Sequence, residues 1–350
     1  MNAATPPHLA HLPAVTGTPQ LVVFSHGNSF PASTYGVMLQ ALAARGYVVK
    51  AIEKFGHDPA YPVTGNWPHL VQQLADFTAR EVAAAGQGAW LVGHSLGGYL
   101  SLMCAARHPS LGGHPLRGVL LLDSPVIGGW RAAAVGVAKS ARLVGSVGPG
   151  TVSRRRKNQW ANQADALAHF RSKKAFAQWD EQALRDYVTH GTHDAASPTS
   201  AEEILRHLSF DRDVETAIYN TLPHNMDALL KRKPLKCPVA FIGGLQSVEI
   251  RQVGMALTEK VTHGRITMVG GSHLFPMEKP AAAAAAVEAA LLNMAGEDWR
   301  GDSMEVIQTT IKLVAGRACC TWASKLLGIE NSLKSPLKLI CRLIFKGQSR

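Results

Sequence analysis

The stretch Trp90-Leu91-Val92-Gly93-His94-Ser95-Leu96-Gly97-Gly98-Tyr99 limits what this chain can fold into more than any other part of it. An apolar run of strand character ends at Gly93, and apolar residues at helical spacing (Leu100, Met103, Cys104) begin directly after Ser95. Ser95 therefore sits at the tip of a tight strand-to-helix turn. Backbone at such a tip is crowded and strained, so the residues two before and two after the serine must be nearly free of side chain. Gly93 and Gly97 meet that demand. A helix starting behind Ser95 turns its positive end and its unpaired N–H groups toward any negative charge formed there. A glycine-rich turn with an incidental serine is the alternative, and the flanking strand and helix patterns weigh against it.

Around this stretch, strand text alternates with helix text. Gln20 to Phe24 reads as a buried strand that stops at the loop Ser25-His26-Gly27-Asn28-Ser29. Val37, Met38 and Leu42 mark a helix over 34–44, closed by Gly46, and Tyr47 to Ile52 is strand again. Leu70, Leu74 and Phe77 form a helical stripe that runs into Gly86 and Gly88. The helix after Ser95 continues to about Arg107, and the apolar run Gly118 to Leu122 stops at Asp123-Ser124-Pro125. Such alternation implies an α/β fold, a mostly parallel sheet with helices on both faces.

The alternation breaks after Asp123. From Gly128 to about Pro234 the chain reads as helical, amphipathic and basic, without strand-like runs. Strand text resumes at Cys237 to Ile242, followed by a helical stretch around Val253 to Lys260 and a strand over Arg265 to Val269. A loop containing Gly271-Ser272-His273 leads to a final helix from about Pro280 to Met294. The organisation expected is a core of residues 1–127 and 235–296, a helical cap inserted at 128–234, and a basic helical C-terminal extension at 297–350.

The formal net charge of +11 is concentrated between Lys139 and Arg185, notably Arg154-Arg155-Arg156-Lys157, and in the last fifty residues. Two separate patches without a nucleic-acid-binding motif point to solvated faces rather than to DNA or RNA. The run at Arg154 reads as a solvated helix start, with a carboxylate or phosphate anchor for substrate as the less favoured reading. Lys338, Arg342 and Lys346 share one face of a tail segment, so weak membrane-surface contact through 337–346 stands beside packing of the tail on its own protein. The five cysteines (Cys104, Cys237, Cys319, Cys320, Cys341) have no zinc-type spacing and suggest reduced thiols. With neither a leader-like N-terminus nor a spanning apolar run, the expected location is cytoplasmic.

Three motifs in this order, His26-Gly27 after the first core strand, Gly93 to Gly97, and Gly271-Ser272-His273 before the last helix, resemble the α/β-hydrolase fold over roughly Gln20 to Met294. The resemblance implies Ser95 as nucleophile on its elbow, His273 as general base, and an oxyanion hole made by the backbone N–H groups of Leu96 and Asn28. His94 and His26 read as supporting residues. In the family the acid usually follows the strand after the cap, and here that slot holds Ser247. Asp123 and Glu249 are the two carboxylates that remain, with Asp123 preferred. The cap would cover Ser95, with Trp130, Phe170, Phe176, Trp179 and Tyr219 as candidate pocket walls. The implied activity is a serine hydrolase acting on a small-molecule ester, thioester or related acyl substrate, with no metal or organic cofactor. A C–C bond hydrolase or a cofactor-free perhydrolase would use the same residues. A non-catalytic binding or scaffold protein of the same fold is the reading from another class.

Overall fold

The computed structural model describes residues 19–129, 132–134, 149–197 and 200–296. Trp130, Cys319, Cys320, Cys341 and the whole extension 297–350, with its basic face at 337–346, lie outside the described residues. Six strands form one sheet in the order β11-β10-β6-β3-β1-β2. They are β1 (Gln20–Ser25), β2 (Tyr47–Ala51), β3 (Ala89–His94), β6 (Gly118–Leu122), β10 (Val239–Gly244) and β11 (Ile266–Val269). β4 (Ser110–Leu111) and β5 (His114–Pro115) make a small separate hairpin.

Every pairing in the large sheet is parallel. Its four inner strands are buried almost throughout because both faces are covered, whereas the edge strands β2 and β11 are partly exposed. Val23, Leu91, Val119, Leu121 and Phe241 belong to one buried cluster, with α2 (Pro68–Ala85) and α3 (Leu96–Arg107) packed on it. Their alternating neighbours Phe24, Trp90, Val92, Leu120 and Ile242 belong to a second cluster, which takes in α1 (Gly36–Ala43) and the last helix, Pro280–Ala295. Period-two alternation between two cores is what a sheet buried on both sides requires.

Parallel register puts all the strand ends on one edge. Ser25 pairs with Gly93, and Gly93 with Leu121. Leu122 pairs with Ile242, and Gly244 with Val269. The loops carrying Asn28, Ser95, Asp123, Ser247 and His273 therefore all leave the sheet at its carboxyl edge, where α/β folds place their ligands.

The segment expected to be wholly helical is not. Helices Pro149–Arg155, Gln163–Arg171, Glu181–His190, Arg212–Asn220 and Met226–Arg232 do form there. Between them lies a three-stranded antiparallel sheet of β7 (Gln159–Trp160), β8 (Thr192–Ser197) and β9 (Ser200–Leu208), ordered β7-β9-β8. Hydropathy could not reveal it, because β8 reads Thr-His-Asp-Ala-Ala-Ser and carries no apolar stripe. A buried cation holds it instead. Arg206 on β9 donates to Thr192 Oγ1 at 2.5 Å, to the Thr189 carbonyl at 2.9 Å and to Asp194 Oδ1 at 3.2 Å.

Candidate active site

Ser95 has φ +53° and ψ −113°, a conformation that L residues avoid, and its N–H donates across the sheet to the Leu122 carbonyl at 3.1 Å. The close contacts at this turn explain its glycines. A Cβ on Gly93 would lie 2.2 Å from the Gly97 carbonyl oxygen, and one on Gly97 would lie 2.0 Å from that of Ser25. Gly98, which the sequence reading passed over, is equally confined: a Cβ there would meet Ser124 Oγ at 2.1 Å.

Two carboxylates approach His273 from different environments. Its Nδ1 lies 2.9 Å from Asp123 Oδ1 and 3.8 Å from Glu249 Oε2. The Asp123 side chain is fully buried, whereas that of Glu249 is 43% exposed. Asp123 Oδ2 also accepts the Gly244 N–H at 2.7 Å, and Oδ1 accepts the Ser247 hydroxyl at 2.6 Å. Ser247, standing in the slot where an aspartate was expected, thus donates to the carboxylate of the neighbouring strand. It also caps the helix Val248–Val253 by accepting the Ile250 N–H at 3.2 Å. With an ionised Asp123, His273 carries its proton on Nδ1 and presents the Nε2 lone pair.

Two further histidines frame the turn without lining up as bases. His94 is fully buried, with Nδ1 2.7 Å from the Tyr35 hydroxyl and Nε2 2.8 Å from the His273 carbonyl. The Tyr35 oxygen in turn accepts the Gly27 N–H at 3.0 Å. One chain of hydrogen bonds therefore joins the Gly27-Asn28 loop, the residue before Ser95 and the His273 loop. His26, also buried, accepts the Phe55 N–H at 2.9 Å and holds the turn after β1.

Burial lowers the pKa of His26 to about 4 and of His94, with the adjoining His273 as a lesser cause, to about 3. Both imidazoles are neutral in the fold but titrate near 6.5 in the unfolded chain, so their folded values are depressed. The stability they allow is complete above pH 6.5 and is lost as pH falls toward those folded values. Moving from pH 7.5 to pH 5 should cost about 4 kcal/mol from the pair, read as a lower urea midpoint. A flat profile over that interval would mean that the two rings are not held neutral.

The backbone N–H groups of Asn28 and Leu96, two residues that line the same lobe as Ser95, donate to no acceptor among the described residues. The loop bearing Asn28 is fastened from the cap. Glu215, in the helix Arg212–Asn220, accepts from the Ser29 hydroxyl through its carboxylate and from Asn28 Nδ2 through its backbone carbonyl at 3.1 Å. Arg156 closes the set, donating to Glu215 Oε2 at 2.8 Å and to the Tyr187 hydroxyl at 2.7 Å. This corrects the solvated reading of the Arg154 run at Arg156 alone, since Arg154, Arg155 and Lys157 are exposed. Arg156 turns inward as half of a buried ion pair, which a local charge pattern cannot show because Glu215 is remote in sequence. Arg156→Ala should destabilise the fold by about 3 kcal/mol, because it strands a buried carboxylate. Urea unfolding would measure it, and a change below about 0.5 kcal/mol would fit a solvated arginine instead.

Two cavity lobes meet at Ser95 and His273. One is open and measures about 820 Å³; the other is smaller, about 150 Å³. Of the expected pocket walls, Tyr219 borders both lobes. Phe170, Phe176 and Trp179 border neither. They stack on one another and on Tyr187, and Phe170 and Trp179 are buried in the core cluster that extends from the sheet. Phe30, which packs on Trp179 from the loop after β1, stands at the open lobe in their place.

Asp123, Glu249 and His273 also bring three ligand-type atoms within 4.8 Å of one another. The Asp123 oxygens already accept from Gly244, Ser247 and His273, so a cation would have to displace bonds that hold the imidazole. The arrangement suits proton relay better than metal ligation. The thiols of Cys104 and Cys237 are free and buried, and burial raises both to about 12. No helix among the described residues is long and apolar enough to cross a membrane.

The model of the alpha/beta hydrolase family matches residues 22–287 of this chain. The chain belongs to that family. Among curated relatives, a protein of Mycobacterium phage D29 that bears the name of a non-heme haloperoxidase is 32% identical over 114 residues. That match spans 32% of this chain and 38% of the relative's length. Among solved structures, a peroxisomal alpha-beta-hydrolase of Saccharomyces cerevisiae superposes with a TM-score of 0.59 at 14% identity, covering 87% of this chain and 88% of its own. E-2-(acetamidomethylene)succinate hydrolase gives 0.58 at 20% identity, over 79% of this chain and 92% of its own. The thioesterase domain from the curacin biosynthetic pathway gives 0.57 at 19% identity, over 77% and 91%. At these identities the structural likeness is one of fold.

Proposed function

We propose that the protein is a serine hydrolase that cleaves an ester, thioester or related acyl substrate through an acyl-enzyme. The observation that carries this reading is the 2.9 Å contact from His273 Nδ1 to the buried Asp123, beside a serine held at φ +53° on the same cavity. Ser95 Oγ attacks the acyl carbon while His273 Nε2 takes the hydroxyl proton. Asp123 keeps the imidazole in the tautomer that can do so and stabilises the imidazolium. The N–H groups of Leu96 and Asn28 receive the negative charge on the tetrahedral oxygen, in a place where no reorganisation is needed. His273 then gives its proton to the leaving alcohol or thiol. Water, deprotonated by the same nitrogen, attacks the acyl-Ser95 ester, and its collapse releases the acid and restores Ser95. Every step uses groups of this chain and water.

A fluorophosphonate probe followed by peptide mass spectrometry tests this. The expected result is a single adduct on Ser95, lost in Ser95→Ala, together with turnover of a p-nitrophenyl ester. An unlabelled wild-type protein, under conditions that label another serine hydrolase, would return the chain to the binding or scaffold reading.

A further inference from the structure

The two lobes differ in size and chemistry, and that difference selects a substrate. The smaller lobe is almost wholly apolar and is lined by Trp67, Tyr99, Pro125, Ile218, Leu222 and Val253. The large one is apolar over most of its surface and adds the polar and charged groups Lys174, Gln178, Gln246 and Glu278. Ser272 and Leu274, which flank His273, border only the large lobe. A leaving group protonated by His273 departs past that loop, so the acyl part takes the other direction.

Two aromatic walls of the small lobe are held in place. Trp67 is 2% exposed and donates through its indole N–H to Thr221 Oγ1 at 2.9 Å. Tyr99 is tied at its hydroxyl, which donates to the Pro125 carbonyl at 2.8 Å and accepts the Ile127 N–H at 2.9 Å. The two rings meet edge to face with centroids 6.2 Å apart. With both polar atoms bound and both rings locked, the lobe keeps its volume of about 150 Å³. An apolar cavity of that order accommodates benzene, six carbon atoms.

Resting on the serine-hydrolase reading, we infer that the protein selects compact acyl groups, a six-carbon chain or a phenyl-bearing acyl, joined to a larger leaving group. Each methylene that enters the lobe should raise kcat/KM about fourfold. Carbons beyond what a volume of about 150 Å³ accepts do not fit beside Trp67 and Tyr99, and a single methylene that does not fit costs about tenfold or more.

The test is a series of p-nitrophenyl esters from acetyl to dodecanoyl, with phenylacetyl added, on the full chain. The expected profile rises to hexanoyl and phenylacetyl and falls at least tenfold by decanoyl. Leu222→Ala should move the maximum to longer chains, and Leu222→Trp should move it to acetyl or propionyl. Fluorophosphonate labelling of Ser95 in both variants guards against misfolding. A wild-type maximum at decanoyl or longer, or a maximum that neither variant moves while Ser95 still labels, overturns the acyl-lobe assignment alone. If Ser95 takes no label and no ester turns over, the hydrolase reading falls and this inference with it.

Discussion

Asp123→Asn is expected to lower kcat for an acyl ester by about four orders of magnitude, with KM nearly unchanged. An asparagine keeps the shape of the site and its acceptor toward Gly244 or Ser247, but it offers no charge to an imidazolium and permits the wrong tautomer of His273. Glu249→Gln should reduce kcat less than about fivefold, the scale of an exposed charge worth up to 1 kcal/mol. The two carboxylates differ for geometric reasons. Asp123 is buried and directed at Nδ1 from 2.9 Å, whereas Glu249 is 43% exposed at 3.8 Å. Steady-state kinetics on both variants decide the matter: the reverse ranking would assign the triad acid to Glu249. Ser247→Ala belongs to the same experiment. It removes the donor 2.6 Å from Asp123 Oδ1 without touching His273, so its loss should be much smaller than that of Asp123→Asn.

Gly97→Ala is expected to unfold the protein or lower its stability by more than about 4 kcal/mol. Local propensity argues the other way, since alanine inside a helix is favoured over glycine by about 1 kcal/mol. The close approach of the backbone decides the sign. The new Cβ would sit 2.0 Å from the Ser25 carbonyl oxygen, and that atom is backbone at the carboxyl end of β1, paired with β3, and cannot swing aside as a side chain would. Either β1 separates from the start of α3, or the turn at Ser95 opens. Gly65→Ala is the control, because an added Cβ there meets nothing within 4 Å. Urea denaturation of the two variants, with soluble yield as a second readout, would show a loss confined to Gly97. Equal midpoints for both would mean that the contact at the elbow relaxes without cost.

Much of this architecture could be read from the residues. Ser95 stands out from its turn, and the resemblance to the α/β-hydrolase fold adds His273 with Asp123 or Glu249; all four border the small lobe. Chain segments with strong periodic signals gave nearly correct spans: Gly118–Leu122 is the β6 strand, and the helix after Ser95 ends at Arg107. The errors have a common cause. β8 and β9, the inward turn of Arg156 and the fastening of Asn28 to Glu215 all depend on polar partners far apart in sequence. Hydropathy periodicity records which face of a segment is apolar, not which remote group will satisfy a buried charge. The aromatic residues of the insertion failed for a related reason. Phe170 and Trp179 are core, the ordinary alternative for the candidate pocket walls, because spacing does not say which surface a helix is packed against.

By itself, the sequence determined the parallel sheet and the turn at Ser95. Buried strands must be apolar on both faces, and only glycine fits where two backbones come within 2.2 Å of a missing side chain, as at Gly93 and Gly97. These are local demands, so local residues express them. Which carboxylate lies nearer to His273, and the size of the lobe beside Ser95, depend on the tertiary structure. The carboxylate that meets His273 comes from β6, 150 positions earlier in the chain, and is held by donors from β10 and its following loop. The lobe is bounded by Trp67 just before α2, by α3 and by the inserted segment together, so its volume is a property of how they pack.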